Sequence, residues 1–262
     1  MRAVFKYKNS GYYVILFILL ISCKGYNIVI SDSLNIKAKN SIEEYNFNEI
    51  NLSNYRDSIS FEMNKIINYS DVNMNVGCPE GLLGNFITDL SLLYIKKQIK
   101  NIAHIPDFCV LNNGGFRNSL NKGPVKIGDI YEIMPFDNYL VILELDGNKM
   151  EKLLEYVKER SFYNSSRKSG VPLSGIRMKI SGDKISRCFI NVKEFNSNNK
   201  YKILTTNYLA NGGDGMNFLK DCPLIWNTQL LLRDVMIDYI RKIGDNNINL
   251  NAELDGRIQI NQ

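Results

Sequence analysis

Histidine is nearly missing from this 262-residue chain, with His104 its only example. A centre that holds two metal ions for catalysis is assembled from several Asp, His and Asn ligands, so a chain this poor in histidine does not build one, and a lone histidine ahead of a strand reads as a turn or surface residue. The five cysteines, Cys23, Cys78, Cys109, Cys188 and Cys222, include no Cys-x-x-Cys pair, which argues against a zinc site. There is no Walker loop, no Gly-x-Ser-x-Gly elbow and no dinucleotide fingerprint. No internal repeat is present. Nor is there a basic stripe of the kind that tracks nucleic acid. The formal charge is +5, from 32 basic and 27 acidic residues, but Arg2, Lys6 and Lys8 lie in the first 22 residues, which hold no acid. Beyond them stand 29 basic and 27 acidic residues, a balance of +2. The isoelectric point of about 8.8 is therefore no argument for a nucleic-acid partner.

Those first 22 residues read as a leader. Arg2, Lys6 and Lys8 make a basic start, Tyr12–Leu20 is an apolar run, and Leu20-Ile21-Ser22-Cys23 reads as a bacterial lipobox. The run falls short of the ~20 apolar residues that span a bilayer. Residues 1–22 are thus expected to be a signal peptide and Cys23 the lipidated N-terminus. Lipid chains hold a protein on a membrane by burying their methylenes. No other long apolar run follows, so the remainder is expected to be soluble and to sit in the cell envelope, facing the periplasm or the surface, with the outer membrane as the favoured home. An oxidising periplasm would permit disulfides, and the four cysteines other than Cys23 allow three pairings; Cys109, inside an apolar strand, reads as plain core.

Residues 23–48 read as a tether, with an edge strand in the Leu34–Lys39 alternation. From residue 49 to 262 helix and strand signals mix, giving an α+β expectation of mixed α/β layers in one domain. The spacing of Ile59, Met63, Ile66 and Ile67 suggests a helix over 55–69, followed by an extended piece over 71–76. Gly81–Lys100 is the best helix, with Leu82, Leu83, Phe86, Ile87, Leu90, Leu93 and Tyr94 on one face. Phe108–Leu111 is a short buried strand. Val125–Met134 reads as a strand and a short helix broken at Gly128-Asp129, Tyr139–Leu145 as a buried strand, and Asp146-Gly147-Asn148 as the turn into a helix reaching Arg160. A polar loop, 161–170, precedes strands at 175–180, 185–192 and 201–204, the first two joined by a Gly182-Asp183 hairpin turn. Thr228–Ile243 suggests a last amphipathic helix and Arg257–Ile260 a closing strand.

Three loops carry the residues suited to chemistry. Asn207-Tyr208-Leu209-Ala210-Asn211-Gly212-Gly213-Asp214-Gly215 follows a strand. Its glycines, Gly213 among them, let backbone come close to a ligand or turn with positive φ, while Tyr208 and Asp214 suit a ring and its hydroxyls. Asn112-Asn113-Gly114-Gly115-Phe116-Arg117 also follows a strand. Its paired glycines, Gly114 and Gly115, would free backbone amides for an anion, and Arg117 can donate a forked pair of hydrogen bonds to phosphate or ribose oxygens. In Met134-Pro135-Phe136-Asp137-Asn138 the proline stiffens the loop that presents Phe136. Taken singly these motifs also fit a glycine-rich surface turn, a β-turn with an exposed arginine and a core phenylalanine.

In order and spacing the three loops together resemble the C-terminal domain of the 5′-nucleotidase family. Glu80 with Leu83-Gly84-Asn85 and Asp89, Leu145-Asp146-Gly147 before a helix, and Glu253-x-x-Gly256-Arg257-Ile258 add to the likeness, which covers roughly residues 50–260. The resemblance implies that Phe136 and Tyr208 sandwich a base, that Asp214 accepts from the ribose hydroxyls, that Asn112 meets the base edge, that Arg117 meets the ribose or phosphate end, and that Phe116 packs beneath its loop. Tyr208 stands where phenylalanine is common. One departure matters: the family usually has an arginine three positions before the glutamate matching Glu80, and here that position is Gly77. Hydrolytic members also carry an N-terminal metallophosphatase domain with two metals, whose Asp-x-His start and Gly-Asn-His-Asp/Glu pair are absent from these residues. The chain is accordingly expected to bind nucleotide or nucleoside without a metal or cofactor of its own, as the substrate-binding half of a split 5′-nucleotidase whose divalent metals lie in a separate metallophosphatase chain. The alternative is a non-catalytic nucleotide- or nucleoside-binding lipoprotein.

Overall fold

Alternation within two short strands explains most of the architecture. In β2 (Phe108–Val110) and the residue after it, Phe108 and Val110 belong to one apolar cluster, Cys109 and Leu111 to another. In β4 (Tyr139–Leu145), Leu140 and Ile142 join the second cluster, while Val141, Leu143 and Leu145 join the first. Successive side chains of a strand point to opposite faces, so a sheet covered on both faces hides its period behind a continuous apolar run. In the computed structural model, which describes residues 52–162 and 169–261, that sheet has five strands in the order β10-β4-β9-β2-β5. Here β5 is Leu173–Ser174, β9 is Tyr201–Thr206 and β10 is Leu224–Leu231. The β2–β9 pair is parallel and the others are antiparallel.

One face is covered by α2 (Leu82–Gln98) and α6 (Leu232–Gly244), through Leu83, Phe86, Ile87, Leu90, Ile95, Val235, Met236 and Ile240. Lysines and arginines in the last turn of both helices face the negative end of the helix dipole. The other face is covered by α4 (Gly147–Arg160) and by a second sheet of β6 (Ile176–Ser181), β7 (Lys184–Ile190), β8 (Lys193–Glu194) and β11 (Ile258–Asn261). Asp146 caps α4 by accepting from the Lys149 amide at 2.8 Å, and Met150, Leu153, Leu154 and Val157 form its buried stripe. The result is a mixed α/β-layered, α+β fold. It lies in a compact unit of Ser53–Gln262.

Arg257 ties the end of this unit to its first core helix. It is 7 % exposed and makes two hydrogen bonds to the Asp89 carboxylate, at 3.1 and 2.9 Å, one to Asp255 at 2.9 Å and one to the Leu173 carbonyl at 2.7 Å. Glu80 stands 4.0 Å from the same guanidinium and accepts from Asn85, which also donates to the Glu253 carbonyl. Glu80, Asn85, Asp89 and Arg257 therefore help to close the fold.

Several sequence readings move. The helix expected over 55–69 is two elements: α1 (Leu52–Met63) stops, and β1 (Ile66–Ser70) pairs antiparallel with β3 (Gly123–Lys126). Its apolar spacing was misleading, because Ile59 and Ile66 are exposed. Gly128-Asp129 is not a break. It lies in the first turn of α3 (Ile127–Ile133), where Asp129 accepts from the Lys126 amide at 2.7 Å and starts the helix. Thr228–Leu231 belongs to β10, because pairing with β4 wins over helical periodicity; the Thr228 hydroxyl donates to the Leu140 carbonyl at 2.8 Å. No disulfide forms among Cys78, Cys109, Cys188 and Cys222, all of them free thiols; burial pushes the Cys188 thiol up to about 12. Among the described residues no helix is long and apolar enough to cross a membrane. The leader, Cys23, the tether, the Leu34–Lys39 strand and residues 163–168 lie outside the described residues.

Candidate functional site

Sheet topology alone brings the three loops together. Because β2 and β9 run parallel, the Asn112 loop and the Tyr208 segment, which opens with the one-turn helix α5 (Asn207–Ala210), leave the sheet at the same end. Because β4 runs antiparallel to β9, with Leu140 opposite Thr206, the Phe136 loop enters at that end too. Asn112, Gly114, Gly115, Arg117, Phe136, Asn138, Tyr208 and Asp214 line a cleft of about 350 Å³ there. Phe136 and Tyr208 are 39 % and 45 % exposed, so neither ring is consumed by the core.

Asp214 is held from all sides. Its backbone sits at φ 51°, a left-handed conformation that aspartate tolerates better than most residues. One carboxylate oxygen accepts from the Asn112 amide at 2.5 Å and the other from the Tyr208 hydroxyl at 3.3 Å; the Tyr208 oxygen in turn accepts from the Asp214 N–H at 3.2 Å. Tyr156 and Arg160, one turn apart on α4, both donate to the Asp214 carbonyl, at 2.9 and 3.1 Å. Burial pushes the Tyr156 phenol up to about 12, which keeps that donor protonated at neutral pH.

Gly213 is a correction to the expected lining. It supports the Tyr208 ring rather than facing the cleft, since a Cβ there would lie 2.4 Å from the ring's Cε1. The expected anion cradle in the Asn112 loop is corrected in part: Gly114 lines the cleft, but the amides that follow it are taken. The amides of Gly115, Phe116 and Arg117 donate to the carbonyls of Asn112, Asn113 and Ile133, so they are spent inside the protein. Arg117 instead lays its guanidinium over the Phe136 ring, 5.1 Å from the centroid. Phe116 packs beneath its loop at 3 % exposure. His104 lies by Trp226 with the rings stacked, 6.3 Å between centroids. Among the described residues no three His, Cys, Asp or Glu side chains converge as metal ligands. Sequence reasoning passed over Asn138 as a lining residue, although its motif was in view. It also missed Tyr156 and Arg160, whose spacing of four on a helix was the available signal.

Gly77 is closed to any side chain. A Cβ there would lie 2.3 Å from the Glu80 carbonyl oxygen and 2.8 Å from the Gly81 Cα, both backbone atoms. Gly77→Ala is expected to destabilise the chain by about 1–3 kcal/mol, as over-packing does, and Gly77→Arg by at least as much without a gain in preference for AMP over adenosine. Thermal unfolding checks this; an unchanged midpoint for Gly77→Ala would contradict it.

Comparison with known proteins places the chain. The family model described as 5′-nucleotidase, C-terminal domain, matches residues 64–221, and the chain belongs to that family. It is 27% identical over 143 residues to the 5′-nucleotidase of Vibrio parahaemolyticus, covering 55% of this chain and 25% of that protein. It is 26% identical over 227 residues to the human 5′-nucleotidase, covering 77% of this chain and 37% of the human one. The crystal structure of a 5′-nucleotidase precursor from Thermus thermophilus superposes with a TM-score of 0.65 at 26% identity, covering 80% of this chain and 42% of that one. The chain thus spans between 25% and 42% of the length of these relatives.

Proposed function

We propose that this chain is the nucleotide- or nucleoside-binding, substrate-selecting component of a split 5′-nucleotidase, and that a metallophosphatase on a separate chain supplies the divalent metals. The observation that carries the reading is the cleft in which two half-exposed aromatics, Phe136 and Tyr208, stand with the fixed Asp214 carboxylate. Aromatic faces take a base of any identity, the carboxylate takes ribose hydroxyls, and Arg117 takes the ribose or phosphate end. Asn112, whose amide also donates to Asp214, meets the base edge in this reading. The isolated chain should release no phosphate from AMP, with or without divalent metal, and should do so only together with a metallophosphatase. Metal-dependent hydrolysis by the highly pure chain, well above a contaminant control, would defeat the proposal.

A second reading is a nucleotide- or nucleoside-binding lipoprotein with no part in catalysis. The obstructed Gly77 favours it, because the guanidinium usual at that position cannot be housed here. The two readings share the cleft and part over reconstituted AMP hydrolysis. Anchoring in the cell envelope through Cys23 belongs to both. Mass spectrometry of the native N-terminus should find an acylated Cys23, and a mature chain that begins at Met1 would remove the anchor.

A further inference from the structure

Phe136 is 39 % exposed, so its position is set chiefly by the loop that carries it, together with the Arg117 guanidinium over its ring. Arg233, in the first turn of α6 and 9 % exposed, reaches that loop from beneath. One guanidinium nitrogen donates to the Met134 carbonyl at 3.4 Å and another to Asp137 Oδ1 at 2.9 Å. These acceptors flank Pro135-Phe136 on both sides. The guanidinium lies over the Tyr131 ring, 4.5 Å from its centroid, and the neighbouring Leu232 amide donates to the Asn138 carbonyl at 2.8 Å. Arg233 Nε is buried with no hydrogen-bond partner among the described residues. An unpaired buried donor is unfavourable, and a methionine would fill the same volume without it. The arginine is therefore explained by what its two Nη groups hold.

Resting on the nucleoside reading, we infer that Arg233 is a positioning residue: it clamps Met134 and Asp137 so that the Phe136 ring is already in place when a base arrives. A ring ordered in advance spares the ligand the cost of ordering it. Arg233 itself does not line the cleft and is assigned no contact with ligand.

The test is adenosine titration of the full chain, with the hypochromic difference spectrum of adenine as the stacking signature. Arg233→Met should weaken adenosine by roughly 3- to 10-fold, the scale of ordering one side chain on binding. Asp137→Ala, at a side chain 74% exposed and so without risk to the core, should weaken it less but in the same direction. Neither loss should add to that of Phe136→Ala, so that Arg233→Met with Phe136→Ala binds as Phe136→Ala alone. A role in general stability would instead add its effect independently. If Phe136→Ala weakens binding while Arg233→Met and Asp137→Ala bind as wild type, or if their losses are additive with it, the clamp is overturned and the nucleoside reading stands. If Phe136→Ala has no effect, the nucleoside reading falls and takes the clamp with it. Should Arg233→Met not fold, the cycle of Asp137→Ala with Phe136→Ala decides by the same criterion.

Discussion

Arg257→Met is expected to lower the thermal midpoint by about 6–12 °C. Removing one partner of a buried ionic cluster strands the others, at a cost of about 3–5 kcal/mol when burial is complete. Here Glu80 is 11 % exposed in its side chain, but Asp89 and Asp255 are 43 % and 34 % exposed and recover part of their hydration. The lower end, about 3 kcal/mol, is therefore the better figure, and each kcal/mol moves a domain of this size by about 2–4 °C. Arg177 is the control. It also bonds Asp255, at 2.8 Å, but its side chain is 58 % exposed, so Arg177→Met should cost under about 1 kcal/mol. Acid supplies a second readout. Burial pushes the Asp255 carboxyl up, but the hydrogen bonds and charges of Arg257 and Arg177 outweigh it and hold the group below the usual carboxylate range. Its folded value is thus lower than its unfolded value of about 3.9, so the stabilisation is present at neutral pH and drains away as pH falls below about 4. Arg257→Met should flatten that acid limb. Calorimetric scans at pH 7 and pH 3 test both; a midpoint within 2 °C of wild type, roughly 1 kcal/mol or less, would show the cluster to be ornamental.

Removing either aromatic should be nearly as costly for binding. Phe136→Ala and Tyr208→Ala should each weaken adenosine by about 1–3 kcal/mol, roughly 5- to 150-fold, and together should bring binding near the limit of titration. Tyr208→Phe separates two contributions that the structure joins in one residue. The ring remains, but the hydroxyl that bonds both the Asp214 amide and its carboxylate is gone. Its loss should be smaller, about 0.5–1.5 kcal/mol for one hydrogen bond, and should fall on ligands with a ribose rather than on free adenine. Equal losses for adenosine and adenine would place the hydroxyl's effect elsewhere.

Much of this was readable from residues alone. The strand, loop and glycine order around Asn112, Phe136 and Tyr208 announced three loops, and the parallel β2–β9 pair with antiparallel β4 supplies the reason they meet. Helices with a buried stripe and a cap, such as α4, were legible because local signals and tertiary packing agree. Boundaries failed where strand pairing overrode helical spacing, at Ile66 against β3 and at Thr228 against β4. The amide of Gly115 was misread because a glycine pair says nothing of which carbonyls lie within reach. Arg233 had no signature at all, since its acceptors are 96 and 99 residues away in sequence. Gly77 was visible as a missing arginine, yet only three dimensions show that Glu80 and Gly81 bar its return.

The cleft's function comes down to whether it reads a base and a ribose together. Titration of the purified chain with adenosine, 2′-deoxyadenosine and adenine asks this directly. A carboxylate built to bond hydroxyls discriminates against ligands lacking them, so affinity should fall in that order, and Asp214→Ala should flatten it. Equal affinity for adenosine and 2′-deoxyadenosine, unchanged by Asp214→Ala, or no binding of any of the three, would contradict the account.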